Sequence, residues 1–209
     1  QLWAWKENRL IILKKFVDKI FVIFPFEKDW FNKRNVTVNY LGHPFFDDWV
    51  PKNKNTVKSY FNLDINKPIL TLFPGSRKQE IKRHLDILVS CSLQIKKLFP
   101  EMQFILGLAP GLTLTKKIPP FIFIENRFPR KALECADFAI IASGTSTVEA
   151  TIFNTPAIVI YKSSFFTWCL AKLFIKSNYL AMSNLIANDE IMPEFLQYQC
   201  KPNLIVNKF

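Results

Sequence analysis

Two short glycine-containing segments hold the residues of this chain best suited to chemistry. The first, Phe73-Pro74-Gly75-Ser76-Arg77-Lys78-Gln79-Glu80, follows the apolar run Ile69-Leu70-Thr71-Leu72. The second, Ala142-Ser143-Gly144-Thr145-Ser146-Thr147-Val148-Glu149, follows Phe138-Ala139-Ile140-Ile141. Both read as strand, small-residue turn, helix. That arrangement aims unpaired backbone N–H groups and the positive end of a helix dipole at whatever lies beyond the strand's C-terminal end. Anions, and phosphates in particular, bind there. Two such turns in one domain suit a diphosphate, with Arg77 and Glu149 as candidates to grip its ends. Arg77 follows its glycine closely enough for its guanidinium fork to reach a phosphate with two parallel bonds. An exposed surface arginine is the plain alternative.

The hydroxyls of Ser143, Thr145, Ser146 and Thr147 surround Gly144, more than a helix cap requires, and they suit phosphate oxygens. Ser76 with Gln79, and Ser146 with Glu149, also match the S-x-x-[E/Q] capping box, so a local role for Glu149 stands beside the ligand role. Other chemistries find less support. The first turn is not a Walker A loop, because no lysine follows a G-x-x-x-x-G frame, and G-x-G-x-x-G is absent. Asp47-Asp48 lacks D-x-D spacing, and G-x-S-x-G is missing. Trp3 and Trp5 suit either a sugar or acyl platform or a core. Cys91, Cys135, Cys169 and Cys200 form no C-x-x-C pair, and only His43 and His84 could join them, which disfavours zinc. Reduced, buried thiols fit a cytoplasmic protein.

The elements that must position these residues alternate. Residues 6–19 carry apolar side chains at helical spacing, 20–24 and 36–41 read as strands, and 26–33 as a short helix. Gly42-His43-Pro44 breaks regular structure, and we place a domain boundary near 44. Beyond it, strands are expected at 68–73, 103–108, 121–125, 138–142 and 157–161. Helices are expected at 56–62, 77–98, 130–136, after the second turn, and at 164–175. Such alternation implies βαβ units with right-handed crossovers, and so an α/β fold with a parallel sheet. Ligands of such sheets sit beyond the strand C-termini, the edge both turns occupy.

The chain has 209 residues, 49% hydrophobic and 22% charged, which fits a globular protein of one to one and a half domains. It begins at Gln1 and ends at Lys208-Phe209 without a capping pattern, and is expected to be a fragment cut at both ends. No apolar run approaches the ~20 residues of a membrane span. The net charge of +11 raises nucleic acid, anionic lipid or a polyanionic substrate. Scattered lysines without a nucleic-acid motif argue against the first. Lys162, Lys172 and Lys176 flank Phe165, Phe166, Trp168, Leu170, Leu173, Phe174 and Ile175. This pattern suits a helix lying on an anionic membrane surface, or one packed on the sheet and a neighbouring subunit.

One ordered set of motifs carries a resemblance. It comprises Gln1-Leu2-Trp3-Ala4-Trp5 with Arg9, Pro25-Phe26-Glu27, Gly42-His43-Pro44 with Asp47, and Pro74-Gly75-Ser76-Arg77 with Glu80-Ile81. Ala142-Ser143-Gly144-Thr145 with Glu149-Ala150, then Asn184-Leu185 with Pro193-Glu194 and Leu196-Gln197, complete it. The set resembles the lipid-A-disaccharide synthase family, glycosyltransferases of lipopolysaccharide synthesis in Gram-negative bacteria. The resemblance implies a GT-B fold, each half a Rossmann-like parallel sheet with helices on both faces. Residues 1–44 would be the tail of the acceptor domain and its linker, and 45–209 an incomplete UDP-sugar-binding domain. The family condenses UDP-2,3-diacylglucosamine with 2,3-diacylglucosamine 1-phosphate, with inversion, to a β-1,6-linked disaccharide and UDP.

Carried onto this sequence, the resemblance makes Arg77 and Asn184 catalytic. Gly75, Ser76, Arg77, Glu80, Arg127, Ser143, Gly144, Thr145, Ser146, Thr147, Glu149, Glu194 and Gln197 become donor-binding residues. Glu149 would hold the ribose hydroxyls, and Asn126-Arg127 would frame the uracil through backbone groups. No metal or cofactor is implied, and the general base is expected in the missing domain. Ser183 stands where family members often have proline. A peripheral place on the cytoplasmic face of the inner membrane and a homodimer are further expectations. The rivals are another GT-B enzyme of UDP-sugars, an N-acetylglucosaminyltransferase or a 2-epimerase, and a non-catalytic basic module binding membrane or nucleic acid.

Overall fold

Helix Leu2–Trp5 (α1), a 3₁₀ turn at Glu7–Arg9 and helix Leu10–Phe16 (α2) open the chain. A parallel pair follows, Phe21–Val22 (β1) with Asn39–Tyr40 (β2), connected through helix Pro25–Asn32 (α3). These strands are shorter than the sequence suggests because, among the described residues, each pairs only with the other. Pro25 starts α3 with its φ already set. Glu27 folds back onto the helix start and accepts from the N–H groups of Ile23 and Phe24. It also accepts from the Trp3 indole N–H, and Phe26 meets the Trp3 ring edge to face. Leu10, Val22, Phe31, Val36 and Val38 form the small core here. Helix Phe45–Asp48 (α4) comes next.

The structure, a computed structural model, describes residues 2–5, 7–50, 52–114, 116–164, 167–168 and 178–209. Two compact units form, one of Gln1–Val50, Ser164–Asn178 and Leu185–Asp189, the other of Pro51–Ser163, Tyr179–Asn184 and Glu190–Phe209. Most of the basic aromatic helix expected over 162–176 lies outside the described residues.

In the second unit, helix Lys54–Tyr60 (α5) leads to strand Ile69–Phe73 (β3), helix Lys78–Leu98 (α6) and strand Gln103–Gly107 (β4). Strand Ile122–Glu125 (β5), helix Pro129–Glu134 (α7), strand Phe138–Ala142 (β6), helix Ser146–Ile152 (α8) and strand Ala157–Tyr161 (β7) continue the alternation. Strand Glu194–Leu196 (β8) closes the edge. All neighbours are parallel, in the order β5-β4-β3-β6-β7-β8. The order runs outward in one direction from β3 and in the other from β6. Their boundary is therefore the topological switch point, where helices leave the sheet on opposite faces and open a crevice. The first glycine turn follows β3 and the second follows β6.

Side chains alternate across the sheet. Leu70 and Leu72 join Leu85, Leu88, Cys91 and Ile95 of α6, and Ile205 and Val206 of the terminal helix Pro202–Lys208, in one core. On the other face Thr71 donates its hydroxyl to the Ala132 carbonyl of α7. Helices thus cover both faces of the sheet. At its N-terminal edge, Asp137 accepts from the Ile69 N–H and the buried Lys58 ammonium, fixing the start of β3. At its C-terminal edge Gly107 allows the Phe73 ring to lie across β4, since a Cβ there would come within 2.7 Å of it. Cys91, Cys135 and Cys200 are free and buried. Desolvation pushes the thiols of Cys91 and Cys135 up to about 12.

Candidate functional site

The first turn differs from the expectation in one respect that matters. Its capping register lies one residue later: Arg77, not Ser76, is the N-cap of α6, so Glu80 replaces Gln79 as the folded-back residue. Glu80 accepts from the N–H groups of Ser76 and Arg77 at 2.9 and 3.2 Å. Its other oxygen accepts from the Arg77 guanidinium at 2.9 Å. An internal carboxylate therefore occupies two N–H groups that the sequence offered to an anion. Gly75, at φ +111°, is required twice over, by its left-handed backbone and by Glu80, whose Oε2 lies 2.5 Å from where a Cβ would stand. The Arg77 side chain is 81% exposed beyond its contact with Glu80.

The second turn keeps part of its backbone donor set open. Among the described residues, the N–H groups of Gly144, Thr145 and Ser146 donate to no protein group. Thr147 donates its hydroxyl back to the Gly144 carbonyl. Ser143 is held by its N–H on Ile160 and its hydroxyl on the Leu180 carbonyl. The expected capping box of Ser146 and Glu149 does not form, because Thr145 is the N-cap and Glu149 lies one residue too far along α8. Glu149 instead accepts from Arg130 Nε of α7 at 2.9 Å, its side chain 12% exposed and that of Arg130 66%. Gly144 has no positive φ, and a Cβ built on it meets nothing within 4 Å among the described residues. The fold itself does not require glycine there.

A loop and β8 complete the edge. Glu194 accepts from the N–H groups of Leu180 and Ala181 and from Asn184 Nδ2. Asn184, on helix Met182–Ala187, is wholly buried. Its amide also donates to the Met192 carbonyl and accepts from the Met192 N–H. The expectation of a catalytic Asn184 thus meets a buried side chain with both N–H groups and one oxygen lone pair engaged within the loop that touches Ser143. Ser183, at the position often proline, donates to the Met192 sulfur. Gln197 follows β8 at φ +50°, uncommon for a residue with a Cβ. Its amide donates to the Ser163 hydroxyl at 2.6 Å. Arg127 is exposed, but its N–H and that of Phe128 turn inward to the buried Glu125 carboxylate. Of the Asn126-Arg127 backbone expected to frame the uracil, the Arg127 N–H is thus already occupied.

His84 was not singled out by sequence as a site residue. It lies on the buried stripe of α6 with Ile81, Leu85 and Leu88. Its Nδ1 is 2.8 Å from the Pro74 carbonyl, and its Nε2 accepts from the Lys162 N–H at 2.9 Å. Burial pulls its pKa below the ordinary value. Arg130 and Glu125 were also missed, and only their places at the end of a strand and the start of a helix marked them.

Fold and edge together define an α/β protein with its candidate site at the switch point of a parallel sheet. The family model described as lipid-A-disaccharide synthetase matches residues 1–209, and the chain belongs to that family. Lipid-A-disaccharide synthase 1 of Legionella pneumophila is 39% identical over 208 residues, 96% of this chain and 54% of that protein. The Coxiella burnetii lipid-A-disaccharide synthase is 37% identical over 213 residues, 100% of this chain and 56% of that protein. The Rickettsia conorii enzyme of the same name is 35% identical, covering 99% and 48%. The chain spans about half the length of the curated relatives it matches. Among solved structures, the glycotransferase of kitacinnamycin is similar with a TM-score of 0.46 and 14% identity, covering 68% of this chain and 33% of that one.

Proposed function

We propose that this chain is the donor-binding part of a GT-B lipid-A-disaccharide synthase. The reaction joins UDP-2,3-diacylglucosamine to 2,3-diacylglucosamine 1-phosphate through a β-1,6 linkage and releases UDP. The observation that carries the reading is the exit of both glycine turns from the two strands flanking the switch point, in a chain of this family. The acceptor hydroxyl attacks the anomeric carbon from the face opposite the diphosphate. The bond from that carbon to the diphosphate oxygen breaks, and its electron pair leaves with UDP. A base takes the hydroxyl proton, and no residue of this chain is assigned that task.

The N–H groups of Gly144, Thr145 and Ser146, with the hydroxyls of Thr145 and Ser146, meet the leaving diphosphate. Arg77 turns from Glu80 to add a positive charge. Glu149, oriented by Arg130, accepts from the ribose hydroxyls. Glu194 and Asn184 hold the 180–184 loop in place, and Gln197 and Arg127 border the site. Residues 1–44 form the end of the acceptor domain and 45–209 the donor domain. Among the described residues no helix is long and apolar enough to cross a membrane. Attachment to the cytoplasmic face of the inner membrane is proposed as peripheral, with a homodimer as the assembly.

Calorimetric titration of UDP and of uridine tests this reading. UDP is expected to bind well above uridine, and Arg77→Ala to remove much of that difference while leaving uridine unchanged. Equal binding of UDP and uridine by the wild type would refute it.

A further inference from the structure

Pro74 has no N–H, and Glu80 occupies those of Ser76 and Arg77, which leaves Gly75 as the donor of the turn Pro74–Arg77 that pairs with no described group. What aims that N–H is the plane of the Pro74–Gly75 peptide. In a trans peptide the carbonyl and the following N–H point in opposite directions. The Pro74 carbonyl is drawn inward to His84 Nδ1 at 2.8 Å. The Gly75 N–H must therefore point away from the core.

The other ring nitrogen is equally committed, accepting from the Lys162 N–H at 2.9 Å. A carbonyl needs a donor and an N–H needs an acceptor, so the ring is neutral with its proton on Nδ1. Lys162 follows β7, while Pro74 follows β3, and β6 lies between those strands. No ladder bond can join strands two places apart. The imidazole thus links the ends of the two strands that flank β6, the strand from which the second glycine turn leaves. Ser163, next to Lys162, carries the connection on to Gln197 at the end of β8.

We infer that His84 is a positioning residue for the donor site, holding the Pro74–Gly75 peptide so that the Gly75 N–H faces the diphosphate; this rests on the donor reading above. A histidine serving only the core would support every ligand contact alike. The conservative amides separate the two roles. Asn places its amide nitrogen as many bonds from Cβ as Nδ1 and can still donate to Pro74. Gln places its amide oxygen where Nε2 stands and can accept only from Lys162.

The experiment is calorimetric titration of UDP and uridine into the wild-type chain, His84→Asn and His84→Gln, each first shown by circular dichroism to be folded. His84→Asn is expected to keep the wild-type ratio of UDP to uridine affinity. His84→Gln is expected to lower that ratio about tenfold, the worth of one hydrogen bond, with uridine affinity unchanged. Equal ratios in the two variants, or loss of uridine and UDP affinity in step, would overturn the role of His84. A wild type that binds UDP no better than uridine would instead overturn the donor reading itself.

Discussion

Glu149→Gln separates a ligand contact from a structural ion pair. The Glu149 carboxylate is nearly buried, but Arg130 is two-thirds exposed and its charge is screened by water. Such a pair contributes about 0.5–1 kcal/mol at most. Glutamine keeps an oxygen to accept from Arg130 Nε and nearly the same volume. The folded chain should therefore lose less than about 1 kcal/mol, a melting shift of roughly 2–4 °C for a chain of this size. A hydrogen bond from a ribose hydroxyl to a carboxylate is worth about 1.5–3 kcal/mol, so UDP affinity should fall roughly ten- to hundredfold. Because the contact is to the sugar, uridine should lose the same factor. Arg130→Ala should reproduce part of this loss by freeing the carboxylate to turn. Calorimetry and thermal melts on the three proteins are sufficient. If Glu149→Gln lowers the melting temperature and leaves both affinities unchanged, Glu149 is a partner for Arg130 and nothing more.

The two glycines should behave in opposite ways. Gly75→Ala should destabilise the fold by about 1–2 kcal/mol from its left-handed backbone alone, with Glu80 displaced in addition, as denaturant titration would show. Gly144→Val should leave stability within about 1 kcal/mol, since no described residue lies within 4 Å of a Cβ at that position, but should weaken UDP binding; unchanged binding would remove Gly144 from the site. Burial holds His84 neutral and its pKa lowered, so its contribution to stability is full above the unfolded value of about 6.5 and is lost as pH falls toward the folded one. Glu80 and Arg83 on its own helix oppose each other there, and burial decides the sign. Wild type should lose more stability than His84→Asn between pH 8 and 5. Cys91 and Cys135, with thiols near 12, should resist alkylation in the native chain and react only on unfolding, as peptide mapping by mass spectrometry would show.

The alternation of apolar runs with helical stripes made β3 to β7 legible, because each is a run of four or five residues with turns on either side. β8 was not, since three half-buried residues carry no period and gain their conformation from β7. Both glycine turns were found from residue types alone. Their hydrogen bonding was not: S-x-x-[E/Q] points to Ser76 with Gln79, whereas the extended backbone at Arg77 makes that residue the N-cap and brings Glu80 to the position that folds back. The Arg130–Glu149 pair joins two helices, and the His84 bridge joins residues far apart in sequence. Pairings of that kind depend on strand order, which local pattern does not contain. Asn184 shows the reverse limit, because a motif position marks importance without saying whether the side chain meets the ligand or builds the loop beside it.

The most direct test of the donor site is the map of amide chemical-shift changes in the ¹⁵N-labelled chain on titration with UDP. Changes are expected to concentrate at Gly75 and Gly144 to Ser146, with smaller ones at Glu149 and Lys162. Changes confined to the opposite edge of the sheet, around Lys58 and Asp137, or none at saturating UDP, would contradict it.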